Sequence, residues 1–179
     1  MNVATLAAQF QRWRAHQMFP TAAIAAIGVA LLAGAYAFEY LGGLKPCLLC
    51  LEQRVPWFVL IALSGAIGAA HRFNAPRLAI AGLYAVVLAV TLYSVDLSGY
   101  HAGIEYKLWD GPKECSGSTL SLPSDGDVLG GLSPGEIVRC NEIAWSLFGI
   151  SMAGYNFLFS LVAVALALIG VRQNLREAR

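Results

Sequence analysis

Charged residues and histidine are absent from four long stretches of the chain, residues 17–38, 55–70, 78–95 and 143–171. These stretches hold 22, 16, 18 and 29 residues. A helix needs roughly 20 apolar residues to cross the hydrocarbon core of a bilayer. Backbone in lipid must satisfy its own hydrogen bonds, so spanning segments are helices or closed barrels. The alternating pattern of barrel strands is absent, and the sequence therefore predicts four transmembrane helices.

We place the four predicted helices near residues 19–39, 48–70, 78–97 and 146–171. The second uncharged stretch is short for a span, so its helix has to include residues that precede it. Pro56 lies within this helix, where a proline removes a backbone hydrogen bond and bends or breaks the helix. The sequence leaves open whether the second helix is kinked or restarts near Pro56.

The amino-acid composition agrees with a membrane protein. Hydrophobic residues make up 58% of the chain and charged residues only 13%, whereas soluble domains carry about 25% charged residues. The composition therefore argues strongly against a soluble globular enzyme. The formal net charge of +1 gives no strong field that would attract nucleic acid, so we expect no nucleic-acid partner.

The distribution of arginine predicts the orientation of the helices, because positive charge marks cytoplasmic loops. Three segments are rich in arginine and contain only one acidic residue, Glu177. They are the N-terminal arm, the link between the second and third helices and the C-terminal tail. Their seven arginines are Arg12, Arg14, Arg72, Arg77, Arg172, Arg176 and Arg179. Segment 98–142 instead sets seven acids against Lys107, Lys113 and Arg139. We therefore expect both termini in the cytoplasm and the 98–142 loop outside it.

The N-terminal segment also has features of a signal peptide. Arg12 and Arg14 would form its basic region, and Ala35-Tyr36-Ala37 is similar to a cleavage site. Its uncharged core of 22 residues exceeds the length of about 7–15 residues that is typical of signal peptides. We therefore favour a retained first helix, and cleavage after residue 37, which would leave three helices, is the alternative.

All four cysteines fall on the side of the membrane that we predict to be extracytoplasmic. Cys47 and Cys50 lie in the first outer loop or at the entry to the second helix, and Cys115 and Cys140 lie in the long loop. Half of residues 116–139 are Gly, Ser or Pro, so we expect that loop to be mobile. The predicted fold is an all-α membrane protein, a four-helix bundle with two extracytoplasmic cysteine-bearing loops.

The spacing of the first two cysteines indicates redox or metal chemistry. A bridge across two residues closes almost no chain entropy and stabilises little, whereas Cys-x-x-Cys suits reversible oxidation or metal binding. Structural bridging is the alternative, and it suits Cys115 and Cys140 better than Cys47 and Cys50.

Arg54 follows the cysteine pair closely. The proline before Cys47 can open a helix, which would place Cys47 and Cys50 in its first turn, where free N–H groups favour a thiolate. Arg54 is four residues after Cys50 and would share its helix face. Arginine at membrane depth is costly and indicates function. The alternative is a side chain that extends to the interface or pairs with Glu39 or Glu52.

The cysteine motif belongs to a longer pattern. The segment Pro46-Cys47-Leu48-Leu49-Cys50, followed by Gln53-Arg54, resembles the signature of the disulfide bond formation protein B (DsbB) family. The likeness continues through four more segments: Tyr100-His101-Ala102-Gly103-Ile104-Glu105, Gly111-Pro112 before Cys115, Cys140, and Trp145-Ser146-Leu147-Phe148-Gly149-Ile150-Ser151-Met152. Members of this family are quinone-dependent inner-membrane oxidases of periplasmic dithiols, so the resemblance implies a bacterial inner-membrane enzyme that supports periplasmic protein folding.

The resemblance implies a role for each cysteine. Cys115 and Cys140 would form the disulfide that oxidises a periplasmic thioredoxin-fold dithiol oxidase, with Cys115 in the mixed disulfide. Cys140 would then pass electrons to the first pair through a link with Cys47. Cys50 would meet the acceptor, which is a quinone from the membrane pool, either ubiquinone or menaquinone.

The resemblance also implies the residues around the quinone. Arg54 would lie beside Cys50, and His101 matches a family position near the quinone; the alternative for His101 is an interfacial histidine bonded to a backbone carbonyl. Glu105 could orient His101 if that stretch is helical. Three aromatic residues are further candidates for the lining of the site: Trp57, Phe58 and Tyr93. The chain has no nucleotide fingerprint and no haem-attachment motif, which favours a lipid-soluble acceptor.

Two other functions are compatible with two cysteine pairs in a membrane protein. A small heavy-metal transporter would pass soft ions between thiolate pairs, but the inner halves of the predicted helices are aliphatic, and we predict no metal site. A scaffold with two passive disulfides gives no reason for Arg54 next to Cys50. The sequence therefore favours an electron-transporting protein-dithiol:quinone oxidoreductase.

Overall fold

The computed structural model describes residues 3–112 and 139–179, with side chains from residue 17 onward within those ranges. Four of its helices are long and apolar enough to cross a membrane: Gln17–Tyr40, Leu48–Arg72, Arg77–Glu105 and Met152–Glu177. The predicted fold class, a helical membrane protein with four spans, is confirmed.

The described chain forms five helices and one small hairpin. In order they are α1 (Val3–Tyr40), α2 (Leu48–Glu52), α3 (Arg54–Arg72), α4 (Arg77–Glu105), β1 (Ser146–Leu147), β2 (Ile150–Ser151) and α5 (Met152–Glu177). The long helices α1, α3, α4 and α5 close a ring in which each packs against two neighbours, and α4 packs most extensively against α5. The antiparallel strands β1 and β2 pair Ser146 with Ser151 and Leu147 with Ile150.

The second span consists of two helices that meet at Gln53. Pro56 is the third residue of α3, where its missing N–H costs no helical hydrogen bond because the first turn has no partners for its N–H groups. The structure therefore has a restart, and it begins at Arg54, two residues before Pro56.

Several helix boundaries differ from the predicted ones, since α1 begins at Val3 rather than near residue 19 and α5 ends at Glu177 rather than near residue 171. The third span continues to Glu105 rather than ending near residue 97, so eight residues assigned to the outer loop are helical. The last helix begins at Met152 rather than at residue 146. Residues 146–151 instead form the hairpin, whose turn places Phe148 and Gly149 at φ of 51° and 77°, and this left-handed backbone cannot continue a helix.

The packing agrees with a bundle in lipid. The core cluster joins all four long helices through large side chains, among them Ile24, Trp57, Tyr84 and Leu166. The outward faces of the spans are also apolar, with exposed Val29, Phe58, Val86 and Leu158 among others. Exposed apolar surface on every helix is what a hydrocarbon solvent requires. The predicted mobile loop falls mostly on residues 113–138, which lie outside the described residues.

Candidate functional site

The two cysteines of the first pair lie at the start of α2. Cys47 has extended backbone and caps the helix, with its Sγ accepting a hydrogen bond of 3.3 Å from the Cys50 N–H. Both are free thiols, and their sulfurs lie 2.8 Å apart. Cys47 therefore precedes the first turn instead of lying within it as we predicted. Its sulfur still faces the unpaired N–H groups that favour negative charge.

His101 reaches the thiol pair from α4. Its Nε2 lies 3.6 Å from Cys47 Sγ and its Nδ1 lies 2.6 Å from Gln53 Nε2. The side chain is buried, and both ring nitrogens face side chains rather than the backbone carbonyl of the alternative interpretation. The extra turns of α4 beyond residue 97 hold His101 at this position.

Glu105 follows His101 by one helical turn and is also buried. Its Oε1 lies 3.9 Å from His101 Nε2, too far for a hydrogen bond but close enough to favour a proton on that nitrogen. The Ser151 hydroxyl donates to Glu105 Oε2 and accepts from the Gly154 N–H at the start of α5. Glu105 is thus fixed between the end of α4 and the cap of α5.

Three further polar side chains extend this cluster into the bundle. Trp57 Nε1 donates to Asn156 Oδ1 over 2.7 Å, and Asn156 Nδ2 donates to Gln53 Oε1 over 2.5 Å. All three are buried. The sequence predicted no role for Gln53 or Asn156 in the site. Asn156 could have been found from its position inside the 29-residue uncharged stretch 143–171. Polar side chains within a membrane span are costly and tend to be functional.

Arg54 opens α3 and pairs with Glu39 of α1. Its Nη1 lies 2.6 Å from Glu39 Oε2, without the alignment of a hydrogen bond. Its guanidinium carbon lies 4.7 Å from the centre of the Tyr36 ring. The pairing that we held as an alternative is therefore present, but the side chain is only 11% exposed. Arg54 Nε is buried and has no hydrogen-bond partner among the described residues.

These elements enclose a cavity of about 330 Å³ between α1, α2, α3 and α5. This volume lies at the small end of the range of about 300–1,000 Å³ that is usual for ligand pockets. Its lining is mainly apolar, with polar groups from Cys50, Gln53, Arg54, His101 and Asn156 among others. Of the three aromatic candidates, Trp57 lines the cavity, whereas Phe58 and Tyr93 are exposed on the outer surface.

Cys140 belongs to the same buried cluster as Cys47 and Cys50. It is disulfide-bonded and only 1% exposed. We expected Cys140 on a mobile, accessible loop, and its burial contradicts that expectation for this residue. Cys115 lies outside the described residues.

Three groups lie close enough to share a metal ion, because Cys47 Sγ, Cys50 Sγ and His101 Nε2 are within 4.8 Å of one another. A tetrahedral ion of the zinc type would need a fourth ligand and a lone pair on His101 Nε2. The other ring nitrogen, Nδ1, contacts the Gln53 side chain, and this contact determines which of the two nitrogens carries the proton.

The surroundings of Cys47 favour its thiolate. The hydrogen bond with the Cys50 thiol lowers the pKa of Cys47, burial raises it, and the interaction with His101 lowers it again, which leaves a pKa of about 5. Because the pKa is lowered below neutrality, the thiolate dominates at pH 7. The thiolate is the reactive form of cysteine.

We therefore expect alkylation of Cys47 in the reduced protein to be nearly independent of pH above about pH 6 and to fall below about pH 5. Mass spectrometry of the labelled Cys47 peptide after iodoacetamide pulses at different pH values measures this. An ordinary thiol would instead gain rate about tenfold per pH unit up to about pH 8. A rate that keeps rising through neutral pH would contradict the assignment.

Comparison with known proteins identifies relatives of the chain. The family model for disulfide bond formation protein DsbB matches residues 17–170. Disulfide bond formation protein B of Methylococcus capsulatus is 28% identical over 143 residues, 78% of this chain and 85% of that protein. Disulfide bond formation protein B 2 of Pseudomonas fluorescens is 30% identical over 157 residues, 84% and 80% of the two chains. No solved structure has significant similarity to the chain.

The four spans define a multi-pass membrane protein, and the family match supports a redox role in disulfide formation. The match covers the chain from the first span to the last. The chain belongs to the DsbB family of disulfide bond formation proteins.

Proposed function

We propose that the protein is a dithiol:quinone oxidoreductase that re-oxidises a periplasmic thioredoxin-fold dithiol oxidase. Two donor thiols are oxidised to one disulfide, and the two electrons and two protons that they lose reduce one quinone to a quinol. The donor first reduces the disulfide of Cys115 and Cys140. The reduced pair then reduces the disulfide of Cys47 and Cys50 by exchange through a bond between Cys140 and Cys47.

The observation that carries this proposal is the position of Cys50 at an apolar cavity with a buried, unpartnered donor. Cys50 and Arg54 line the same cavity, and Arg54 Nε has no partner among the described residues. Such a donor is costly unless a ligand accepts from it. A flat apolar ring with carbonyl oxygens fits this lining, because the apolar walls contact the ring and Arg54 donates to an oxygen.

Each part of the site has a function in this reaction. A quinone bound in the cavity would accept the two electrons and two protons. Cys50 presents its sulfur to the cavity, and Arg54 offsets the negative charge that develops on an acceptor oxygen. Cys47 is not among the residues that line the cavity, and it shares a buried cluster with Cys140, which suits exchange with Cys140.

We further propose that the protein lies in the bacterial inner membrane with both termini in the cytoplasm. The arginine distribution supports this orientation, which places the cysteines on the oxidising, periplasmic side. A soluble donor could then reach the 113–138 segment that contains Cys115.

A soft-metal transporter is the second candidate, because Cys47, Cys50 and His101 could share an ion. Transport requires ligands that continue across the membrane. The described residues contain no second such group of cysteine, histidine and acidic side chains, and the buried polar groups deeper in the bundle include Ser64, Thr91, Ser94 and Ser160. Hydroxyl groups are poor ligands for soft ions.

One assay separates the two candidates. We expect purified protein, mixed with a reduced thioredoxin-fold donor and a water-soluble quinone analogue, to reduce one quinone per donor dithiol oxidised. Optical loss of the quinone and thiol titration of the donor measure the two sides of this stoichiometry. If the cysteines oxidise equally well without quinone, or if only metal ions change their state, the oxidoreductase proposal is wrong.

A further inference from the structure

The hydrogen bonds around His101 have only one consistent direction. They form a buried chain from Trp57 through Asn156 and Gln53 to His101. An indole N–H can donate but cannot accept. Amide oxygens and nitrogens are hard to tell apart by position alone, but a donor-only group at one end of a chain fixes every later orientation. Trp57 is that group.

The orientation passes along the chain one residue at a time. Trp57 donates, so the Asn156 atom that faces it must be the carbonyl oxygen. The Asn156 amide nitrogen then donates to Gln53, whose oxygen accepts it. The Gln53 nitrogen therefore faces His101 Nδ1 as a donor, and Nδ1 must accept. A neutral imidazole has one protonated nitrogen, so its proton lies on Nε2.

We propose that Asn156 is a positioning residue that fixes His101 as the Nε2–H tautomer, so that His101 donates its ring proton to the sulfur of Cys47. The Nε2 to Sγ distance of 3.6 Å permits this bond to the large sulfur atom. The inference rests on the proposed function in one respect, since it takes Cys47 as a thiol of the redox pair.

This arrangement assigns His101 a role that differs from that of a general base. Nε2 already carries a proton, so it cannot remove the proton of the Cys47 thiol. It can stabilise the Cys47 sulfur only after the sulfur becomes negative, as it does when the disulfide with Cys50 is broken. Glu105, 3.9 Å from Nε2, and Cys47 and Cys50 are the titratable groups that face His101, and Glu105 also favours a proton on that nitrogen.

The same arrangement opposes metal binding at the thiol pair. An ion shared with Cys47 and Cys50 would need the lone pair of Nε2, which requires the proton to move to Nδ1. Nδ1 would then point a proton at the Gln53 amide hydrogens. Both amides would have to reverse, and Asn156 would present its NH₂ group to the Trp57 N–H. The cost is a buried contact between two donors, the Trp57 N–H and the Asn156 NH₂ group, neither of which then has an acceptor.

The test is nitrogen NMR of protein with ¹⁵N-labelled histidine, reduced and in detergent at neutral pH. The chain has only three histidines, and the His101→Asn variant assigns the signal of His101. We expect wild-type His101 to carry its proton on Nε2 alone. Asn156→Leu, which can neither accept from Trp57 nor donate to Gln53, is expected to give a mixture of tautomers.

Two more variants make the experiment specific. Trp57→Phe removes the donor that sets the direction and is expected to have the same effect in a milder form, which keeps the test valid if Asn156→Leu does not fold. Ser160→Ala is the matched control, because Ser160 lies one turn beyond Asn156 on α5 and its buried hydrogen bond goes to Ser94, outside the chain. We expect Ser160→Ala to retain the wild-type tautomer.

A second readout is the rate at which iodoacetamide alkylates Cys47, which we expect to fall roughly fivefold in Asn156→Leu at pH 6 as the thiolate loses a donor. A wild-type His101 protonated on Nδ1, or equal tautomer populations in all variants, would overturn the proposal. Neither measurement uses quinone, so the tautomer result stands apart from the function. Wild-type protein that fails to reduce quinone would refute the proposed function alone.

Discussion

Replacing Cys50 with serine is expected to reduce the rate of quinone reduction at least about a thousandfold, as the loss of a reacting nucleophile does in other enzymes. The first pair cannot form its disulfide without this sulfur, and Cys50 is the member of that pair which lines the cavity. The measurement is quinone reduction with a saturating reduced donor. Serine is close in size to cysteine, so the four spans should still insert.

The control for this variant is Leu51→Ser, which places a serine on the same short helix at an exposed position outside the cavity. We expect it to retain activity within about twofold, as surface substitutions usually do. Cys50→Ser should also leave Cys140 disulfide-bonded, since Cys140 has its own partner. Substantial quinone reduction by Cys50→Ser would mean that electrons reach the quinone from another thiol.

The four spans could be predicted from the sequence because a bilayer excludes charge over a fixed thickness. Helix ends depend on finer detail, and there the sequence was less informative. Residues 146–151 are as apolar as the helix that follows, yet Phe148 adopts a positive φ that few non-glycine residues favour. The Ser151 hydroxyl then caps α5. Hydrophobicity alone carries no signal for such a turn.

In the site, contacts between neighbours in the sequence could be predicted, whereas contacts between distant residues could not. The Cys-x-x-Cys spacing predicted that Cys47 and Cys50 are neighbours, because the cap of a short helix depends on adjacent residues. The position of His101 beside Cys47 depends on how α4 packs against α2, 54 residues away in the chain. Asn156 is separated from Gln53 by 103 residues. Local pattern cannot fix such pairs, and the family resemblance pointed to His101 but not to Asn156.

The burial of Cys140 supports the order of exchange that we propose. A cysteine that is only 1% exposed cannot be the first contact of a soluble donor, whereas it lies in one cluster with Cys47 and Cys50. This division suits a relay in which Cys115 meets the donor and Cys140 meets the first pair. The Gly, Ser and Pro content of the loop predicted mobility, but it gave no sign that Cys140 at its end is buried.

Arg54→Ala is expected to raise the Michaelis constant for quinone and to slow turnover at least about tenfold, which corresponds to about 1.4 kcal/mol of lost stabilisation. The buried Nε of Arg54 has no partner among the described residues, so a quinone oxygen is the acceptor we assign to it. Lysine keeps the charge but not the planar set of donors, and we expect Arg54→Lys to be intermediate. Quinone reduction at varied quinone concentration measures both constants.

The ion pair with Glu39 complicates the simple variant, because removal of Arg54 leaves the partly buried Glu39 carboxylate without its partner and so lowers stability. We therefore include Glu39→Gln and the double variant Glu39→Gln/Arg54→Ala. The double variant has no unpaired carboxylate, so its thermal stability in detergent should recover relative to Arg54→Ala. Its quinone kinetics should remain impaired if Arg54 acts on the quinone.

Comparison of the wild type, Arg54→Ala, Glu39→Gln and the double variant separates the effect of Arg54 on quinone binding from its effect on protein stability. Glu39→Gln alone should leave the Michaelis constant for quinone within about threefold of the wild-type value, because a neutral amide leaves Arg54 at the cavity and free to donate. If instead the double variant regains normal kinetics together with stability, the arginine serves only to neutralise Glu39 at the edge of the membrane. The cavity would then hold the quinone through Cys50 and its apolar walls, without a contribution from the guanidinium.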